Sequence, residues 1–177
     1  MKSLPVFIIA AKRTAIGRIG GLHRVRRVED LAAPVVEAAL KEAGVGGDEV
    51  DELIVGNCTA GDNPARLIAL ASGLSVTAMA TTVDQQCASG LEAILAAARR
   101  IAAGEASIVV AGGAEALSTA PWRIAKPRNL FQTPHFIRSD PFDGAAMAEH
   151  VPHNSCEALA QRHEISRELQ DTWTLAS

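Results

Sequence analysis

The chain has 177 residues, a formal net charge of −3, and 48% hydrophobic and 21% charged residues. These are the fractions of an ordinary globular protein, which excludes wholesale disorder, and the mild negative charge excludes a general attraction to nucleic acid or anionic membrane. Thirty-three alanines, 3% aromatics and no tyrosine imply a core of close helix–strand contacts between small residues.

Val6–Ala11 is short, apolar and branched near its start, and reads as a buried strand. A Gly-containing loop, Thr14–Gly21, follows. A helix is expected from about Val28 to Ala43, its turns traced by Leu31, Val35, Ala38, Ala39 and Glu42, with Gly44 as the stop. A second strand covers Glu52–Val55, closed by Gly56-Asn57. Asn63-Pro64 reads as a cap and first helical residue, and that helix ends near Ser72-Gly73. A third strand spans about Ala80–Asp84. The next helix begins at or just after Cys87 and runs to Ala103, with Leu91, Ile94, Leu95, Ala98 and Ile101 as its apolar stripe. Gly104 ends it, and Ser107–Ala111 is the fourth strand.

Strands and helices in strict alternation predict an α/β fold with a mostly parallel βαβαβαβ layered sheet. The pattern breaks at Gly112-Gly113, which suggests a core domain over residues 1–120. Residues 121–177 begin a loop or lid domain. Pro121, Pro127, Pro134 and Pro141 mark a flap or subunit-contact segment, followed by helices over Asn154–Arg162 and from near Glu168, the latter presenting Leu169, Trp173 and Leu175.

Cys58, Cys87 and Cys156 are widely spaced and odd in number, which argues against a disulfide framework and for a reducing compartment. The run Leu4–Ala11 is too short to span a membrane. A cytoplasmic location is expected.

Cys87 falls between the end of a strand and the start of a helix, where free backbone N–H groups and the positive end of the helix dipole face its thiol. Ala88, Ser89 and Gly90 are small enough to let a substrate approach. Two readings stand side by side: a catalytic nucleophile on a tight turn, or a small residue buried in one.

Arg13-Thr14-Ala15-Ile16-Gly17 with Gly20-Gly21, Gly61-Asp62-Asn63-Pro64-Ala65-Arg66, Gln86-Cys87-Ala88-Ser89-Gly90-Leu91 and Val109 through Ser118 occur in that order, with Ile165–Asp171 further along. Together they resemble the N-terminal half of the thiolase family. The resemblance implies a thiolase-like N-terminal core domain with part of a loop or lid domain. It also implies acyl transfer between coenzyme A thioesters, as in acetyl-CoA acetyltransferases and 3-ketoacyl-CoA thiolases of fatty acid metabolism. Cys87 would form the acyl-enzyme. Acyl-CoA or acetyl-CoA is substrate, and no cofactor is held tightly. The family assembles as homodimers or homotetramers.

Such a site also needs an acid/base pair and oxyanion donors. In the family these come from an Asn-Glu-Ala-Phe segment, a Gly-His-Pro segment and a second cysteine in a Gly-rich turn, none of which occurs here. A helix N-terminus contributes only about 0.3–1 kcal/mol to a nearby charge, too little to run turnover unaided. The expectation is a chain about half as long as the chemistry needs, inactive alone, with a C-terminal-half thiolase subunit as one possible partner. Its alternative is a truncated or split-subunit, non-catalytic protein acting through oligomerisation. The family's lid His-Met pair falls on Val151-Pro152, flanked by His150 and His153, so no CoA contacts are carried over.

His150, His153, Cys156 and His163 could converge on a metal if helical, but Pro152 disturbs the helix and no Cys-x-x-Cys is present, so no metal is expected. Gly112-Gly113 follows a strand without the Gly-x-Gly-x-x-Gly of a dinucleotide site. Arg24, Arg26 and Arg27 lack interleaved aromatics and read as a solvated or subunit-facing loop. Glu115 reads as structural, Ser89 as a helix cap, and Trp122 and Trp173 as packing anchors.

Overall fold

The computed structural model describes residues 4–127, 129, 131–136 and 152–176. The chain divides into two compact units, Met1–Pro121 and Trp122–Ser177.

In the first unit, α1 (Val28–Ala43) spans the residues its sequence predicts. Glu29 and Asp30 stand in its first turn and Lys41 in its last, complementing the helix dipole. The Asp30 carboxylate also accepts the Arg27 N–H at 3.1 Å. Gly44 adopts the left-handed conformation (φ 68°) that lets Val45 donate back to the Leu40 carbonyl at 3.1 Å. The buried face, however, is Val28, Ala33, Val36 and Leu40 rather than the predicted stripe.

Strands β1 (Glu52–Gly56), β2 (Met79–Val83) and β3 (Val109–Gly113) form a parallel sheet in the order β2-β1-β3. Glu52 is in register with Met79 and Val109, and Gly56 with Val83 and Gly113. β1 is buried along its whole length. Its alternating side chains build two cores. Leu53 and Val55 join Val36, Leu40, Ile68 and Ala69 of α1 and α2 (Pro64–Ala71) on one side. Ile54 joins Ala93 and Ala97 of α3 (Ser89–Ala103) on the other. This is helix–sheet–helix layering with small residues at the tightest contact, as the alanine content implies.

β3 begins two residues later than predicted because the N–H groups of Ser107 and Ile108 are taken by the Asp51 carboxylate, at 2.7 and 3.1 Å. The ladder instead continues through Gly112-Gly113. The run Val6–Ala11 is not a strand: it pairs with no neighbour among the described residues, and Ile8 is 83% exposed. An apolar cleft of about 730 Å³ lies between residues 7–19 on one side and α1 and β3 on the other. Branched apolar residues alone do not make a strand; the ladder partner does.

The most buried face of α3 is also shifted from the predicted stripe. Ser89, Ala93 and Ala97 are buried, while Leu91 is 62% exposed, Leu95 is exposed, Ile94 borders the apolar cleft, and Ala98 and Ile101 are half-buried. Only the alanine face lets the helix axis approach the sheet closely.

In the second unit, β4 (Ile124–Ala125) and β5 (His135–Phe136) form a two-residue antiparallel pair. Trp122 meets Phe136 edge-on with ring centroids 5.5 Å apart. Neither tryptophan is a buried anchor: Trp122 and Trp173 are both well exposed. Helices α4 (Pro152–Arg162) and α5 (Arg167–Ala176) follow. Pro152 does not break α4; it opens it, at the position where a missing N–H costs nothing. Ile165 donates to the Ala160 carbonyl at 2.9 Å, closing α4, and the Ser166 hydroxyl accepts the Leu169 N–H at 3.2 Å, opening α5. Among the described residues, no helix is long and apolar enough to cross a membrane. Pro141, His150 and Val151 lie outside the described residues.

Candidate active site

In a parallel sheet, the C-terminal strand ends are where a chain can present side chains to a ligand. Here the ends of β1 and β3 meet the first turn of α3 at three glycines. A methyl group on Gly113 would lie 3.2 Å from the Gly90 Cα, and Gly56 is packed closer still, against the backbone of Ser89 and Gly90. The glycines let the head of α3 sit directly over the strand ends.

Between β2 and α3, the turn Asp84–Ala88 carries Cys87, whose side chain is exposed. That removes the reading of Cys87 as a buried turn residue. Gln86 has φ 55°, unusual for a residue with a side chain. Its N–H donates to the Asp84 carboxylate at 3.1 Å, and its carbonyl accepts the Ser89 N–H at 3.1 Å and the Ser89 hydroxyl at 2.6 Å. The same Ser89 oxygen accepts the Gln85 N–H at 2.8 Å. Ser89 is therefore the first residue of the helix and a brace for the turn, not its cap; no side chain caps α3.

A second loop, Asn57–Asn63, runs beside the turn. The Asn57 N–H donates to the Val83 carbonyl at 3.0 Å, and its side-chain amide donates to the Ala114 carbonyl at 2.8 Å and to Glu115 at 3.2 Å. The Glu115 carboxylate also accepts the Cys58 N–H at 2.6 Å and the Thr59 hydroxyl. One carboxylate thus gathers three consecutive residues, the structural role its position after Gly112-Gly113 suggests. The Cys58 thiol donates to the Gln86 carbonyl at 3.2 Å and lies 3.2 Å from the Ser89 hydroxyl. Burial first, then the nearby Asp84 and Glu115 carboxylates, push this thiol up from its ordinary value, with the Ser89 hydrogen bond acting in the opposite sense. In the sequence Cys58 stands only among three widely spaced cysteines; the one signal for its role is a cysteine directly after Asn57 at a predicted strand end.

The α2 entry lies at this end of the sheet as well, while Arg66 reaches back to the start of β2. Asn63 takes the Thr82 hydroxyl at 2.6 Å, and Thr82 in turn accepts the Ala65 N–H at 3.1 Å, so the α2 entry is capped through a relay. Arg66 is spent on the Ala78 and Val76 carbonyls at 3.1 and 2.9 Å. In the first loop, Gly20 donates to Ser118 at 2.9 Å, and the Arg26 guanidinium donates to His23 at 2.8 Å. Arg26 therefore serves its own loop. Cys156 is exposed on α4. His150 is outside the described residues, and among the described ones no group of three His, Cys, Asp or Glu side chains could hold a metal.

The first unit is a parallel α/β domain with helices on both faces of its sheet, and it presents an exposed cysteine on a braced strand-to-helix turn. Residues 6–177 match the family model "Thiolase, N-terminal domain". The chain is 38% identical to a probable acetyl-CoA acyltransferase of Staphylococcus aureus, over 97% of its own length and 46% of that relative's. It is 35% identical to an acetyl-CoA acetyltransferase of Schizosaccharomyces pombe, over 100% of its length and 47% of that relative's. The crystal structure of the Bacillus anthracis acetyl-CoA acetyltransferase superposes with a TM-score of 0.83 at 36% identity, covering 97% of this chain and 45% of that one. The chain belongs to the thiolase family and matches its N-terminal half. It spans about half the length of the curated relatives it matches.

Proposed function

We propose that this chain carries the nucleophile half of a thiolase-type acyl-transfer site, with Cys87 as the acyl carrier. The observation that supports this most directly is the exposure of Cys87 on a turn held from three sides, at the head of α3. The thiolate of Cys87 attacks the carbonyl carbon of an acyl-CoA or acetyl-CoA thioester. The C–S bond to coenzyme A breaks, CoA leaves as its thiolate and takes up a proton, and the acyl group remains on Cys87 as a new thioester. One thioester replaces another, so the step is close to balanced in bond energy, and a second thiol or carbon nucleophile can reverse it.

The proton transfers need an acid/base pair. The side chains bonded to the turn are Asp84, Cys58 and Ser89, none of them a histidine. The pair is supplied by a C-terminal half, in the same polypeptide or as a separate subunit, and the 177 residues alone do not turn over. The same reading makes residues 121–177 the beginning of a lid, the assembly a homodimer or homotetramer, and the setting cytoplasmic fatty acid metabolism. Free rather than paired cysteines agree with a reducing compartment.

Two measurements test it. Incubation with acetyl-CoA or acetoacetyl-CoA and a C-terminal-half partner, followed by peptide mass spectrometry, is expected to show an acyl adduct on Cys87; no adduct would sink the nucleophile assignment. CoA-dependent cleavage of acetoacetyl-CoA is expected only in the mixture, and turnover by the purified chain alone would sink the half-site reading.

A further inference from the structure

Two side chains from different elements converge on one carbonyl oxygen, that of Gln86. The Ser89 hydroxyl reaches it from α3 at 2.6 Å, and the Cys58 thiol from the β1 loop at 3.2 Å. Gln86 and Cys87 share a peptide bond, and a trans peptide is planar, with its carbonyl and N–H pointing in opposite directions. Fixing the Gln86 oxygen therefore fixes the direction of the Cys87 N–H and sets the base from which its side chain projects. We infer that Cys58 and Ser89 are positioning residues that clamp the Gln86–Cys87 peptide and so aim the nucleophile. The inference rests on the reading of Cys87 as the acyl carrier.

Four further observations support the clamp. The left-handed φ of Gln86 is a conformation that persists in a residue with a side chain only when its surroundings over-determine it. Its amide and carbonyl are both held, by Asp84 and by Ser89 and Cys58. The Cys58 end is itself anchored, since its N–H donates to Glu115 at 2.6 Å and the preceding Asn57 N–H is tied to β2 through Val83 at 3.0 Å. And Cys58 is half-buried beside the Asp84 and Glu115 carboxylates, and burial, then those carboxylates, push its ionisation up.

Because Cys87 is already exposed, loosening the turn adds no access; it lowers the population of the conformation that holds the thiol at the head of α3, the environment that favours its reaction. The test is the rate of Cys87 alkylation by iodoacetamide at neutral pH, resolved by peptide mass spectrometry, in the 177-residue chain and in Cys58→Ala, Cys58→Ser and Ser89→Ala. Far-UV circular dichroism and urea titration establish that each variant is folded. Loss of one hydrogen bond of ordinary net strength predicts a slowing of about threefold to tenfold in Cys58→Ala and Ser89→Ala. Cys58→Ser, which keeps a donor in place, returns the rate to within about twofold of the parent.

A folded Cys58→Ala that reacts at the parent rate or faster overturns the clamp, as does a Cys58→Ser no better than Cys58→Ala, which would mark Cys58 as packing only. If Cys58→Ala does not fold, Ser89→Ala at the parent rate overturns it. An acetyl-CoA arm with the C-terminal-half partner separates the two readings. No acetyl adduct on Cys87 with the iodoacetamide ranking intact sinks the acyl-carrier role and leaves the clamp. Acetylation with the ranking lost sinks the clamp alone.

Discussion

A methyl group on Gly56 would lie 2.5 Å from the amide nitrogen of Gly90, closer than real side chains approach backbone. The end of β1 and the first turn of α3 are in direct backbone contact, next to the turn that carries Cys87. Gly56→Ala is expected to cost about 1–3 kcal/mol, the range for overpacking a tight site, and to lower the urea midpoint without changing its slope. An unchanged midpoint would mean the helix can lift away freely.

Glu115 gathers Asn57, Cys58 and Thr59, and removing it strands their donors where Asn57 is buried. Glu115→Ala is expected to destabilise the fold by about 1–3 kcal/mol. Glu115→Gln, which keeps one acceptor oxygen, should fall between. Equal stability of all three proteins in urea would show that the loop does not depend on this carboxylate.

Asp51 supplies the pH dependence. Its carboxylate accepts the Ser107 N–H and then the Ile108 N–H, which hold it below its ordinary value against a small opposing effect of burial. The folded state therefore binds this proton less tightly than the unfolded chain. The contribution is complete above the ordinary carboxylate value of about 3.9 and is lost as pH falls through the lower folded value. Asp51→Asn should be less stable at neutral pH and lose less stability on acidification below about pH 4. Thermal melts across that range that run parallel for the two proteins would contradict the assignment.

The two faces of α3 make opposite predictions. Leu95→Gln, on the outward face, should change unfolding free energy by no more than about 0.5 kcal/mol and reduce self-association in light scattering. Ala93→Leu, at a position with 0% exposure against Ile54, should cost about 1–3 kcal/mol. A reversal of that order would restore the face implied by periodicity.

Cys87→Ala should leave stability within about 0.5 kcal/mol of the parent, since the side chain is exposed. Acyl labelling from acetyl-CoA in the presence of the C-terminal-half partner should disappear. Labelling that moves to Cys58 or Cys156 instead would show that exposure, not the turn, determines which thiol reacts.

Local signals sufficed for much of this chain. Gly44 and Gly104 end their helices in left-handed conformations, Pro64 opens α2, and the predicted span of α1 matches residue for residue. Cys87 at a strand-to-helix turn was legible because it needs only its own neighbours in sequence. Such features are determined within a few residues, where backbone sterics and capping dominate.

What the tertiary structure decided depends on partners far away in the chain. The run Val6–Ala11 has the composition of a strand, yet pairs with no strand among the described residues. The stripe Leu91, Ile94, Leu95 satisfies helical periodicity, yet Ala93 and Ala97 take the sheet because close approach favours the smaller face. Glu115 meets Cys58, and Cys58 meets Gln86, across separations of 57 and 28 residues. No local pattern encodes those meetings. The order of apolar segments and turn signals defined an alternating α/β chain with a cysteine at a strand-to-helix turn; the parallel stacking of β1, β2 and β3 under α3 exposed that cysteine and placed the groups that hold its turn.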